Sequence, residues 1–361
     1  MKTGRSLVDL AAEIQRQADN ARDYVVRTDA LKMAVEGTEG KLIVNGTDFQ
    51  PLPLTEHAHQ QLATYLKIPR EYYDKMRIEQ PELMADNVNG WLATKQEKRM
   101  IRTLDGRGRA FLSSGYRPLN NFHLAEAVLP VLGELKVQVV SAEVTEKKFY
   151  LKVVDSKISG SIPRGHAMGD GSHEIFDTLC AAMTITNSEI GLGALAINSG
   201  VLTRACTNLA FFEQKSLKKY HVGSRQEIGE EMYKLLTDDT RKKTDAALWA
   251  QARDVVRAAF NQAEFDANIK QIAGLTEQKI DKDTVAVVEL TGKYFGMQEN
   301  ERKGVLQHLI EGGDLSRYGL FNAITRTAED LDSYDRASDF ERFGGEFAKM
   351  DEKQWAAVQA A

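Results

Sequence analysis

The spacing of hydrophobic and polar positions divides the chain into a mixed first half and a helical second half. In the first ninety residues, short β-branched or alternating runs at 24–27, 31–35 and 41–44 predict three strands. Apolar residues then recur at helical spacing after Thr55, Pro69 and Pro81. A threonine hydroxyl can cap a helix, and proline suits a first helical turn, so three helices are predicted to begin there.

The middle of the chain has the pattern of hairpins and a meander. Residues 99–104 and 109–113 flank Asp105-Gly106, a strong signal for a tight hairpin turn. The other predicted elements are a helix at 122–132, strands at 136–144 and 149–155 around the turn 146–148, and strands at 179–186, 192–197 and 201–206. Asn198-Ser199-Gly200 is predicted to form the turn between the last two of these strands.

The second half is predicted to be helical because no proline follows Pro163. Helical spacing is clearest at 226–236, 246–259, 302–310 and 331–343. The fold class expected is α+β: a β-rich hairpin and meander core with short helices, followed by an all-helical C-terminal region. The expected units are 1–90, mixed α/β; 91–225, the β-rich core; and 226–361, the helical region.

Composition narrows the class of protein. Two cysteines, Cys180 and Cys206, are too few for a disulfide framework and indicate a reducing compartment. Acidic residues interrupt the N-terminal segment and no apolar run approaches ~20 residues, so neither a signal peptide nor a membrane span is expected and the cytoplasm is the predicted location.

Charge is distributed unevenly along the chain. The net charge of -5 divides into -3 for residues 1–90, +6 for 91–225 and -8 for 226–361. A basic middle between acidic flanks is typical of a surface for nucleic acid or another acidic partner. The alternative is that the acidic flanks pack on the basic middle and neutralise it.

Cations and aromatic residues cluster in the basic middle. The candidate nucleic-acid contacts are Lys95, Lys98, Arg99, Arg102, Arg107, Arg109, Tyr116, Arg117, Lys147, Lys148, Lys152, Arg204, Lys215, Lys218 and Lys219. Arg99 and Arg102 have opposite strand parity and should face opposite sides of the hairpin. Lys215, Lys218 and Lys219 would share one face at helical spacing. Alternatively, each group of charged residues is simply exposed to solvent or protects the edge of a sheet from pairing with another chain.

Catalytic signatures are absent from the sequence. There is no phosphate-binding loop, nucleophile elbow or deaminase zinc motif. His166, Asp170, His173 and Glu174 could bind a divalent metal, but their spacing matches no closed site and three glycines separate them. We therefore expect a protein without cofactor or resident metal whose function is not enzymatic.

Three stretches resemble a known family. They are residues 66–73 (LKIPREYY), 109–121 (RAFLSSGYRPLNN) and 187–208, which opens with NSE and ends with RACTN. In this order they resemble the phage/plasmid-like proteins, a family found on mobile elements. The hairpin, helix and basic meander are also similar, more distantly, to phage single-strand annealing recombinases. The resemblance implies a ring- or filament-forming homo-oligomer that holds single-stranded DNA in a basic groove without a cofactor.

The leading hypothesis is accordingly a single-stranded-DNA-binding and strand-annealing protein that contacts phosphates with lysine and arginine. Tyr116 or Trp91 could add base stacking if exposed. Two alternatives remain open. One is a metal-dependent nuclease or hydrolase that uses residues 164–174, and the other is a protein-binding anti-defence or host-takeover factor that uses the acidic helices.

Overall fold

The computed structural model describes residues 1–45, 50–163, 176–204, 207–219 and 237–360, with backbone alone at 213–219, 238 and 241. The helices are α1 (Leu7–Asn20), α2 (Glu56–Leu66), α3 (Arg70–Glu79), α4 (Pro81–Ala93), α5 (Asn121–Leu135), α6 (Asp238–Ala258), α7 (Gln262–Ala273), α8 (Thr284–Tyr294), α9 (Glu299–Gly312), α10 (Arg317–Thr327), α11 (Tyr334–Ala348) and α12 (Glu352–Gln359). The α+β class is confirmed.

Eleven strands in the described ranges form three antiparallel sheets. They are β1 (Arg22–Arg27), β2 (Leu31–Glu36), β3 (Glu39–Val44), β4 (Leu52–Pro53), β5 (Lys98–Leu104), β6 (Arg107–Ser113), β7 (Gln138–Val144), β8 (Phe149–Pro163), β9 (Phe176–Asn187), β10 (Leu195–Thr203) and β11 (Asn208–Lys219). The sheet orders are β1-β5-β6, β2-β3-β4 and β11-β10-β9-β8-β7. Strand β1, from the first predicted unit, therefore pairs with β5 from the second.

Local sequence signals explain several boundaries. Thr55 caps α2, accepting a hydrogen bond from the Ala58 N–H through its hydroxyl, and Pro81 occupies the first turn of α4. Asp105 and Gly106 both have positive φ, 51° and 74°. Two consecutive left-handed residues match the twist of the flanking strands, as the hairpin prediction required.

The predicted turn at Asn198-Ser199-Gly200 is wrong. These residues lie inside β10, which pairs continuously with β9 and has a register shift against β11 between Ile197 and Ser199. A Cβ on Gly200 would overlap the carbonyl oxygen of Ala210. The glycine therefore allows a close strand approach at an irregular ladder, a role that gives the same sequence signal as a turn.

The five-stranded sheet is covered on both faces. One face, which includes Leu151, Met183 and Ile197, packs on α1, α5 and α6. Helix α11 crosses the other face, because Tyr334 contacts Ser141 on β7 and the other end of the helix reaches β11.

The small sheet β1-β5-β6 has a similar sandwiched position. Ile101 and Phe111 on one face pack with α2, α3 and α4. Met100 and Leu112 on the other face pack with Tyr116 and Ile190. None of the helices within the described ranges combines the length and apolar character that a membrane crossing needs.

Candidate nucleic-acid interface

An open groove runs between α2 and β6, the edge strand of the small sheet. Its volume is about 400 Å³. It is lined by His57, Gln60, Gln61, Thr64 and Tyr65 from α2, and by Arg99, Phe111, Leu112 and Ser113 from the hairpin. The α2 residues recur every three or four positions, so they form one stripe beside the apolar face of that helix. This stripe and strand β6 form the two walls of the groove, and the Phe111 N–H donates a hydrogen bond to Gln61 Oε1 between them at 2.7 Å.

Two of the predicted cations meet at one end of the groove. The Lys95 ammonium lies 4.4 Å and the Arg99 guanidinium 4.3 Å from the centre of the Tyr65 ring. The ring attracts both cations through its negative face and offsets part of their mutual repulsion. Burial raises the pKa of the Tyr65 phenol, so the ring stays neutral at pH 7. Lys98 begins β5 and is exposed, but strand alternation directs its side chain to the opposite face of the sheet from Arg99.

A short loop, residues 188–194, joins this groove to the basic turn at 146–148. The carbonyl of Ile190 accepts a hydrogen bond from Gln61 Nε2 at 2.9 Å and lies 2.9 Å from His57 Nε2. On the other side of the loop, Ser188 Oγ donates to the carbonyl of Lys147 at 2.8 Å. The loop therefore holds the Lys147 turn against the α2 wall, so cations that are about fifty residues apart in sequence border the same groove.

His57 is neutral at this junction. Its pKa is lowered mainly by burial, and the nearby Lys147 ammonium lowers it further. A neutral imidazole whose Nε2 lies within hydrogen-bond distance of a carbonyl must carry its proton on that nitrogen and donate it. Lys147 is exposed at the same place. It therefore supplies the positive charge at this end of the groove.

Arg102 and Arg109 are instead part of the interior. Arg102 is 3% exposed and Arg109 8%. Arg102 donates from Nε to Asp23 at 2.8 Å, from Nη1 to the Glu189 carbonyl at 2.7 Å and from Nη2 to Asn120 Oδ1 at 2.7 Å. Arg109 forms an ion pair with the Glu189 carboxylate. The predicted opposite orientation of Arg99 and Arg102 is confirmed.

A β-bulge explains why Arg109 reaches Glu189. Arg102 pairs with Ala110 and Thr103 with Gly108, so Arg109 is an extra residue without a partner in the ladder. Strict alternation would place Arg109 on the same side as Phe111, facing α2. The bulge changes the direction of the side chain and brings both arginines to the same glutamate.

Three further predicted contacts are also internal. Tyr116 is 4% exposed, and its hydroxyl donates to the Ser188 carbonyl at 3.3 Å. Arg117 donates from Nε to Asp245 on α6 at 2.7 Å. Lys152 is fully buried and its ammonium lies 2.9 Å from Glu341 Oε1 on α11. These groups stabilise the fold, and in this structure a nucleic acid cannot reach the buried ones.

The remaining predicted residues lie apart from the groove or outside the described residues. Arg107 is exposed in the hairpin turn, and Arg204 is exposed after β10. The backbones of Lys215, Lys218 and Lys219 belong to β11, so the helix expected there is a strand. Their side chains lie outside the described residues, as do the weak metal candidates His166, Asp170, His173 and Glu174. Within the described ranges no group of three metal-ligating side chains converges.

Sequence reasoning missed Tyr65, Gln61 and Glu189 as parts of this region. The Tyr65 ring on α2 borders the groove. The spacing of His57, Gln61 and Tyr65 at i, i+4 and i+8 is the sequence signal that places these three residues on one face of α2. Glu189 had no such signal, because its partners lie seventy to ninety positions away in sequence.

Comparison of the chain with protein-family models, with curated proteins and with solved structures found no match.

Proposed function

We propose that the protein binds single-stranded DNA along the groove between α2 and β6. The observation that carries the proposal is that two separate basic segments border this one open surface. Lys95 and Arg99 lie at one end, and Lys147 lies in the turn at the other. Lysine and arginine neutralise backbone phosphates without reading sequence, which suits a protein that must accept any strand.

The local charge balance favours a polyanion. Three cations border the groove, and two carboxylates, Glu97 and Glu146, lie in the same two segments. Among the described residues, no carboxylate lies within ion-pair distance of Lys95, Lys98 or Lys147. Positive charges without an internal partner remain available to phosphates.

Strand annealing is the activity that such a groove would support. Phosphates held along one wall leave the bases directed outward, where a complementary strand can pair with them. This step needs no bond chemistry and no cofactor. In the proposed assembly, copies of the chain form a ring or filament, and the net negative charge of residues 226–361 would repel DNA from surfaces outside the groove.

The test is a fluorescence-anisotropy titration of the full chain with a labelled oligothymidine at several salt concentrations. If all three cations contact phosphates, the logarithm of affinity should fall with the logarithm of salt at a slope of roughly -2.1. The double substitution Lys95→Gln, Lys147→Gln should reduce that slope to roughly -0.7 and weaken binding at low salt.

A matched control removes two exposed lysines elsewhere, with Lys242→Gln on α6 and Lys303→Gln on α9. The control changes net charge equally and should leave the slope unchanged. Binding that is undetectable at low salt, or that does not change with salt concentration, would refute the proposal. So would equal losses in the two double variants, because binding would then follow net charge alone.

A further inference from the structure

A second cavity lies between the large sheet and α11, with a volume of about 210 Å³. It is lined by Lys148, Tyr150, Thr184, Thr186, Gly193, Ala194, Ala196, Asn198, Phe211, Ser338, Asp339 and Arg342. The cavity exists because small residues, Gly193, Ala194 and Ala196, stand where larger side chains would fill the space below the helix. Tyr150 and Phe211 form its larger apolar surfaces.

Two hydroxyl groups at this cavity have no hydrogen-bond partner in the described part of the chain. They are Thr184 Oγ1, on a residue that is 2% exposed, and Ser338 Oγ on α11. Thr184 lies between Lys152 and Asn198 in the strand register. Burying a hydroxyl without a partner is unfavourable, so native proteins rarely do it without a reason. Two such groups at one cavity point to a ligand that supplies the missing partners.

Lys148 supplies positive charge to the cavity. The Lys148 side chain lies along Gly193, where an added Cβ would be 3.4 Å from Lys148 Cε. No described carboxylate lies within ion-pair distance of its ammonium. Arg342 lies 3.5 Å from Asp339 and 2.5 Å from Glu346. Asp339 and Glu346 already neutralise Arg342, so Lys148 is the cation of this lining that has no carboxylate partner in the described part of the chain.

The donors match a phosphate group. A lysine ammonium, a guanidinium, three hydroxyls and the Asn198 amide approach from the sheet on one side and from α11 on the other. A tetrahedral phosphate has acceptor oxygens in several directions, and charged or hydroxyl donors bind them strongly. A planar carboxylate would leave more of these donors without a partner. We propose that this cavity is a binding site for a phosphate group.

The phosphate could come from a free small molecule or from a bound strand. Lys147 borders the groove and Lys148 lines the cavity, and they are adjacent in one turn. A strand leaving the groove over Lys147 would therefore bring its next phosphates to the cavity. This second source rests on the proposed function, whereas the phosphate site does not.

Isothermal titration of the full chain with inorganic phosphate tests the site, with chloride at matched ionic strength as the reference. Phosphate should bind saturably at one site per chain. Lys148→Gln should weaken binding by about tenfold or more, because it removes a charged donor. Lys157→Gln, on an exposed residue of the same strand β8, should leave the affinity unchanged.

Thr184→Val provides the second variant because it keeps the side-chain shape. Since the Thr184 hydroxyl has no internal partner, the variant should unfold at the same or a higher temperature than the parent protein. It should nevertheless bind phosphate several-fold more weakly. If the parent shows no saturable phosphate binding, or if neither Lys148→Gln nor Thr184→Val weakens it, the proposal is wrong.

The oligothymidine titration separates the two sources. If the strand supplies the phosphate, inorganic phosphate should compete with the oligonucleotide, and Thr184→Val should weaken oligonucleotide binding. If a free phosphate compound is the ligand, oligonucleotide binding should not respond to either change. A chain that binds phosphate but no oligonucleotide would retain the phosphate site and refute only the proposed function.

Discussion

Glu189 joins elements that are far apart in the sequence, and its removal should destabilise the whole protein. The residue is 8% exposed. One carboxylate oxygen accepts from Arg109 on β6, and the other accepts the Asn121 N–H at the start of α5 at 2.6 Å. The substitution Glu189→Ala would remove both acceptors while leaving the arginine in place.

The magnitude follows from the charges that remain. Arg102 and Arg109 are both buried, and Glu189 and Asp23 are the carboxylates that balance them. Removing one partner of a buried ion pair leaves an uncompensated charge, which typically costs about 3–5 kcal/mol. The unsatisfied N–H of Asn121 contributes within that range rather than in addition to it, because neighbouring effects are not additive. We expect the free energy of unfolding to fall by about 3–5 kcal/mol.

Urea unfolding, followed by far-ultraviolet circular dichroism and by tryptophan fluorescence, measures this change. Glu146→Gln is the matched control, since it removes an exposed carboxylate from the adjacent turn. Its effect should stay within about 0.5 kcal/mol. A loss below about 1 kcal/mol for Glu189→Ala would refute the reasoning, because the arginines would then have another source of compensation. The variant Arg109→Met, combined with Glu189→Gln, should lose less than the two single changes together.

Three further predictions concern stability. Burial lowers the pKa of His59 from 6.5 to about 4, so the unfolded chain takes up a proton before the folded protein does. Neutral His59 therefore contributes its full stability above pH 6.5, and the free energy of unfolding should fall by about 2 kcal/mol when the pH is lowered to 5. Urea unfolding midpoints above pH 6.5 and at pH 5 should show this loss. The substitution His59→Gln should abolish it. Lys152→Met should cost about 3–5 kcal/mol by leaving Glu341 without its buried partner. Adding Glu341→Leu should recover most of that loss in the same urea assay, and no recovery would contradict the ion-pair account. Gly345→Ala on α11 should destabilise the protein by about 1–3 kcal/mol, because the added Cβ would overlap a carbonyl oxygen of β11. Gly133→Ala on α5, where the space is open, should stabilise it by about 0.5–1 kcal/mol. Thermal unfolding of the two variants measures both effects, and equal shifts in melting temperature would refute the packing argument.

Local signals predicted many of the elements because the physics of those elements is local. The Asp105-Gly106 turn needs two residues that tolerate positive φ, and both are present in the sequence. The Thr55 cap needs one hydroxyl near the first free N–H groups of α2. In each case the determining residues lie within a few positions of one another, so the sequence pattern contains the necessary information.

The position of the arginines could not be predicted in the same way. Arg102 and Arg109 belong to a basic run, which is usually exposed, and their burial depends on Glu189 about eighty positions later. The bulge at Arg109 also interrupts the strand alternation from which the face of the sheet occupied by a side chain is predicted. Side-chain direction at an irregular ladder is a property of the paired strands and cannot be read from either strand alone.

Gly200 shows a related limit. Asn198-Ser199-Gly200 has turn composition, but a glycine also allows two strands to approach closely, and sequence alone does not separate the two uses. A glycine on a helix can serve the same purpose, because Gly345 of α11 lies directly over the carbonyl of Phe211.

The burial of cations changes how the basic middle should be interpreted. Two of its internal cations have partners in the acidic C-terminal segment: Arg117 pairs with Asp245 and Lys152 with Glu341. The acidic flank therefore neutralises part of the basic middle by packing on it, as the alternative to a nucleic-acid surface required. The same packing leaves lysines such as Lys147 without a carboxylate partner among the described residues, and these retain their charge for an external one. A cation already neutralised inside the protein releases no counterion from DNA. The salt dependence of binding should therefore follow the three cations that border the groove, far fewer than the eighteen in residues 91–225.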